Sequence, residues 1–133
     1  MANDGLITLP STHDFETTLG RLLAALKEKS ITVFARVDHA AGAKDVGLRL
    51  RPTTLVMFGN PLTGTPLMEL SQIAGIDLPL KALIWEDADG TVRLSYNDPR
   101  WIAARHHLGD AAVKPIAGMA ALLAALAQRA TTA

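Results

Sequence analysis

The chain has 133 residues, thirteen basic and thirteen acidic side chains, and no cysteine. That length suits one domain, expected over residues 1–133, and 49% hydrophobic residues suffice for a packed core. The balanced charge argues against nucleic-acid and anionic-membrane partners, and the lack of cysteine excludes disulfides, thiolate nucleophiles and most structural zinc.

Residues 1–10 carry Asp4 where a signal peptide needs positive charge, so a cytoplasmic location is expected. Residues 6–9 read as a short edge strand. Ser11 and Asp14 then precede Phe15, Leu19, Leu22, Leu23 and Leu26 at helical spacing, which predicts a helix over about 12–29. Residues 31–39 alternate apolar and polar side chains, which predicts an interior strand with His39 on its apolar side. Residues 40–47 are small and glycine-punctuated, with room for one helical turn.

Residues 53–59 contain Leu55, Val56, Met57 and Phe58 without a break, the pattern of a central strand covered on both faces. Thr65 followed by Pro66 reads as a helix cap and first turn, predicting a helix to about residue 74, before Gly75. Residues 80–86 and 91–96 flank Asp89-Gly90, a hairpin signal. Asp98-Pro99 opens a helix ending by Gly109, and residues 115–128 form a last helix rich in alanine and leucine. Its apolar run of residues 111–127 is short for a bilayer span. The order is strand, helix, strand, strand, helix, hairpin, helix, helix. It favours an α+β fold, a mostly antiparallel sheet with helices packed on one face.

Several residues invite chemistry. His39 at a strand end is the candidate general base, although Asp38, its neighbour, points to the opposite face of a strand. Residues 59–66 join a strand to a helix start, where backbone amides of Gly64 and Thr65 favour an anion, with Asn60 beside them. The loop lacks the Lys-Ser/Thr pair of a nucleotide-hydrolysing P-loop, and no G-x-S-x-G nucleophile motif occurs. The carboxylates Glu86, Asp87 and Asp89 have the wrong order for a calcium loop and read as a solvated turn. Asn97 and Asp98 have the residue types of a strand exit and helix cap. His106-His107 are neighbours, about 100° apart on a helix, and no H-E-x-x-H accompanies them, so no metal site is expected.

The segments Thr32-Val33-Phe34-Ala35, Asp38-His39-Ala40-Ala41-Gly42, Phe58-Gly59-Asn60-Pro61, Gly64-Thr65-Pro66-Leu67-Met68, Trp85-Glu86-Asp87 and Tyr96-Asn97-Asp98-Pro99, in this order and spacing, resemble the domain-of-unknown-function family numbered 302 over about residues 12–108. The resemblance implies an α+β domain, often homodimeric, with family motif positions at His39, Asn60, Asp87, Asn97, Asp98 and His106, and no established activity. Three functions stay open. One is a homodimeric module binding a small molecule or anion with His39, Asn60, Gly64, Thr65 and Asn97, with apolar walls from Val37, Met57 or Met68 and no cofactor; haem is a minor variant. The second is an acid–base isomerase or hydrolase using His39. The third is a protein-interaction subunit. The last helix, with Ile116, Met119, Leu122, Leu123 and Leu126 and little polar in its middle, is the expected dimer contact.

Overall fold

The computed structural model describes residues 4–133; residues 1–3 of the expected domain lie outside them. Strands β1 (Leu6–Pro10), β2 (Thr32–Asp38), β3 (Thr53–Gly59), β4 (Leu80–Glu86) and β5 (Val92–Asn97) form one sheet in the order β1-β5-β4-β3-β2. Every neighbouring pair is antiparallel. With helices α1 (Phe15–Glu28), α2 (His39–Asp45), α3 (Pro61–Leu70), α4 (Pro99–Arg105) and α5 (Val113–Thr131), this is the expected α+β architecture.

The period of two in the strands decides where the core sits. Val56, Phe58, Ala82, Ile84 and Leu94 share one face and are sealed with Leu22 and Leu26 of α1 and Leu123 and Leu126 of α5. The opposite face carries Leu55, Met57, Leu83 and Trp85, each only partly buried. The unbroken apolar run of β3 therefore does not mark a strand covered on both sides. Its outward residues are apolar without a second layer, as much of any protein surface is.

Strand β2 corrects a second expectation. Its alternation is that of a strand, but it lies at the sheet edge, and none of its residues is buried. Val33 stands opposite Phe58 and Ala35 opposite Met57, so Phe34 is an extra residue that bulges from the ladder. After the bulge the faces exchange, and residues read as one apolar side divide between both. Alternation reports a strand's faces; it carries no information about how many neighbours that strand has.

Capping fixes the helix starts. Asp14, rather than Ser11, caps α1 by accepting from the Thr17 amide at 2.8 Å. Helix α3 begins five residues before the expected start, which has Thr65 as the cap and Pro66 as the first residue. Asn60 is its cap, Pro61 its first residue, and Pro66 lies inside it. A proline is compatible with either start, and the better cap residue wins. Helix α3 ends at Leu70, and a 3-10 turn, Gln72–Asp77, carries the chain past Gly75 to β4.

Helix α5 and the turn before it make a segment from Asp110 to Thr131 that is long and apolar enough to cross a membrane by length and composition, longer than the sequence reading allowed. In this fold Ile116, Met119, Leu123 and Leu126 are spent on the domain's own core, and Leu122 packs against it. The outward side shows mainly alanine and glycine. The large side chains that nominated α5 as a dimer contact are thus not on its surface.

Candidate functional site

Two ends of the sheet compete for the site, and the register separates them. Asp38 pairs with Thr54 near the start of β3, while Thr32 pairs with Gly59 at its end. His39 follows Asp38 and Asn60 follows Gly59, so a whole strand, about 20 Å at the usual rise, lies between them. The expected convergence of His39 and Asn60 within one chain is therefore corrected: an antiparallel β2–β3 pair sends the two exits in opposite directions.

At the first end, Asp38 caps α2 by accepting from the Ala41 amide at 2.9 Å. His39 is the first residue of α2, exposed rather than packed on an apolar strand face, and no hydrogen bond holds its ring among the described residues. The neighbouring cleft, about 570 Å³, is lined by Phe15, Glu16, Lys44, Arg49 and Leu50 and is broad and solvent-facing.

At the second end, the exit of β3 meets α3, the Leu78–Pro79 segment and Phe34 around a cavity of about 240 Å³. Pro79 follows a cis peptide bond. Its walls are Phe34, Pro61, Met68, Leu78, Leu80 and Met119, and no ionisable side chain lines it. A second hollow of about 370 Å³ shares Gly59, Asn60, Thr63, Leu80 and Met119 and continues the groove along Pro115, Gly118 and Leu122 of α5. Asn60, Gly64 and Thr65 all face the first cavity, so the structure does bring these three expected residues together, with Met68 as the expected apolar wall. Val37 and Met57, the other named wall residues, lie on the far face of the sheet.

The helix start is already saturated. Asn60 Oδ1 accepts from the Leu62 amide at 2.9 Å, and the Asn60 carbonyl accepts from the amides of Thr63 at 2.9 Å and Gly64 at 3.1 Å. The Thr65 amide lies inside α3, where helical bonding uses it. The backbone donors expected to greet an anion are therefore engaged within the helix. What remains is the Asn60 side-chain nitrogen and the Thr65 hydroxyl, neither in a hydrogen bond among the described residues. The site can offer apolar contact and one or two neutral hydrogen bonds.

Asn97 reaches the same end of the sheet on the opposite face, in a small hollow beside Leu6, Lys81 and Leu83. Asp98 caps α4 by accepting from the Arg100 amide at 3.0 Å. Asp87 pairs with Arg93 at 2.8 Å beside the Asp89-Gly90 turn, which Gly90 supports with φ 86°. His106, for which no metal role was expected, is held by Asp77, with Arg105 on the same carboxylate. That partnership joins residues far apart in sequence, so no local signal announced it. No group of three metal-ligating side chains occurs among the described residues. The wall residues Phe34, Leu78 and Pro79 were missed, because a bulge and a connecting segment place them.

The chain matches the family described as a domain of unknown function, DUF302, over residues 7–126, which takes in most of α5 as well as the segments that carry the resemblance. It is 50% identical over 115 residues to proteins named fluoride-specific ion channel FluC 1 from Brucella suis biovar 1 (strain 1330) and from Brucella abortus biovar 1 (strain 9-941). The matches cover 84% of this chain and 45% and 43% of those relatives, so the chain spans less than half their length. In fold it is similar to the crystal structure of an uncharacterized conserved DUF302 protein from Bacillus stearothermophilus, at TM-score 0.82 and 20% identity, over 96% of this chain and 99% of that one. The chain therefore belongs to the DUF302 family.

Proposed function

We propose that this domain is a homodimeric, cytoplasmic binding module for a small, neutral organic molecule, held in the cavity between β3, α3 and Phe34. One observation carries the reading: an uncharged, largely apolar cavity of about 240 Å³ with the Asn60 amide nitrogen and the Thr65 hydroxyl unengaged at its wall. Apolar walls with a few placed polar groups are the usual composition of a small-molecule site. The size favours a single ring or short chain, since a dry cavity of about 150 Å³ holds benzene. A haem is too large for it, and His39 is too distant to serve as an axial ligand beside Met68. The anion variant has less support, because helix bonding uses the amides it relied on. The acid–base variant has less support also, because Asp38 caps α2 and leaves His39 without an orienting carboxylate.

The test is ligand-observed NMR and thermal shift with p-cresol, toluene and benzamide. Binding that Met68→Trp abolishes, with the fold intact by circular dichroism, supports the reading. No binding by any of the three, together with no retained small molecule in native mass spectrometry of fresh protein, removes it.

A second reading, an interaction subunit, is favoured by the relatives named as fluoride channels, since more than half of their length lies outside the match. There this domain would serve a membrane channel as an attached partner. Deleting the matching region from such a relative and measuring fluoride flux in proteoliposomes tests it; unchanged flux counts against coupling.

A further inference from the structure

The cavity between β3, α3 and Phe34 does not end at Asn60. The hollow of about 370 Å³ beside it shares Gly59, Asn60, Thr63, Leu80 and Met119 with it, so the two form one groove with a junction at the start of α3. Beyond that junction the second arm runs between Ile31 and the Pro115, Gly118 and Leu122 side of α5. Among the described residues no ionisable side chain lines either arm, and Asn60 and Thr63 are the only polar side chains lining the second. A molecule that fills the first arm alone leaves the larger apolar hollow to water.

The hydrogen bonds at the junction indicate what links the two arms. Asn60 Oδ1 accepts from the Leu62 amide at 2.9 Å, which leaves the side-chain nitrogen as a donor. The Thr63 hydroxyl donates to the Asn60 carbonyl at 2.9 Å, so its remaining capacity is to accept. The junction therefore offers one donor and one acceptor between two apolar arms. An ester or a ketone can use only the donor. A primary alcohol can use both but carries one substituent, enough for one arm. A secondary amide uses both and carries a substituent on each side: its carbonyl accepts from Asn60 and its N–H donates to Thr63.

We propose that the ligand of this groove is a secondary amide with two apolar substituents, a ring or short chain in the first arm and an alkyl tail along α5 in the second. This rests on the ligand reading above and adds to it the linkage and the tail.

The test is isothermal titration calorimetry with benzamide and its N-methyl, N-propyl and N-pentyl derivatives. Each methylene that leaves water for an apolar surface should tighten binding about two- to four-fold. Gly118→Phe puts a ring into the second arm, from a helix position where an added Cβ meets nothing within 4 Å. That variant, with circular dichroism unchanged, should bind benzamide as the unaltered chain does and lose the gain from the tail. Thr63→Val should weaken N-propylbenzamide several-fold and leave propyl benzoate, the matching ester, unaltered. Equal affinity along the series, or a rise that Gly118→Phe leaves intact, overturns the second arm. An equal effect of Thr63→Val on amide and ester overturns the amide linkage. Either result with benzamide bound spares the small-molecule reading, whereas no binding by any member of the series removes both.

Discussion

The Asp77 carboxylate and the His106 ring nitrogen meet at 2.5 Å, with side chains only 13% and 6% exposed, and Arg105 approaches the same carboxylate at 3.0 Å. The contact fastens the end of the 3-10 turn, and through it the Leu78–Pro79 wall of the cavity, to the end of α4. Removing Asp77 leaves the His106 ring nearly sealed from water without its bond, and removing His106 leaves the nearly buried Asp77 carboxylate with Arg105 alone. Asp77→Ala or His106→Ala should each cost about 1–3 kcal/mol. Because both act on one contact, the double variant should cost clearly less than the sum of the two, as read by urea unfolding. Additive losses would show that the pair does not act as a unit.

Gly64 faces the cavity from within α3, and a methyl group added there would find Leu78 Cδ1 and Met68 Cε at 3.9 Å, ordinary contact distance. Alanine also favours a helix interior over glycine by about 1 kcal/mol. Gly64→Ala should therefore raise stability by up to roughly that amount in urea unfolding, while reducing the space for a ligand and weakening p-cresol binding. Stability and binding should move in opposite directions. A variant that binds p-cresol more tightly would show that the ligand does not lie against Gly64.

Gly5 has the opposite constraint. Its φ of 81° is one that side chains rarely adopt, and an added Cβ would lie 2.3 Å from Trp101 Cγ. Its carbonyl also accepts from the Asp98 amide at 2.7 Å, which ties β1 to the start of α4. Gly5→Ala should lower the unfolding free energy by roughly 1–3 kcal/mol through overpacking and backbone strain. Thermal melting compared with Gly20→Ala, at a helix position with open space around it, separates this from a general effect of alanine.

Three exposed carboxylates give a pH dependence of known sign. Hydrogen bonds from Thr17 hold Asp14 below its ordinary value, the Arg129 hydrogen bond and charge do so for Glu28, and the Thr91 amide does so for Asp89. A carboxylate lowered in the folded state contributes stability above its unfolded pKa and loses it as pH falls through the folded one. Melting temperature should therefore be level near neutrality and fall as pH drops from about 5 through the range below about 4. Glu28→Gln should flatten part of that fall, and sodium chloride should reduce it, since the Glu28–Arg129 pair is solvent-exposed.

The sequence by itself determined what depends on neighbours along the chain. Alternation placed β2, an unbroken apolar run placed β3, Asp89-Gly90 placed the β4–β5 hairpin, and the leucines of α1 and α5 specified the faces that now form the core, because side-chain direction repeats with backbone geometry. The family resemblance rested on the same local segments. The tertiary structure alone decided what depends on partners far away. Strand order put β2 at an edge, where its apolar residues stay uncovered. Antiparallel pairing sent His39 and Asn60 to opposite ends, and a bulge turned Phe34 toward the cavity. His106 found Asp77 across 29 positions. Even the cap of α3 was a competition between Asn60 and Thr65, both good caps beside a proline, which the packing of Leu67 against the core completes. Local rules fix which side chains an element presents, whereas the contacts between elements fix what those side chains meet.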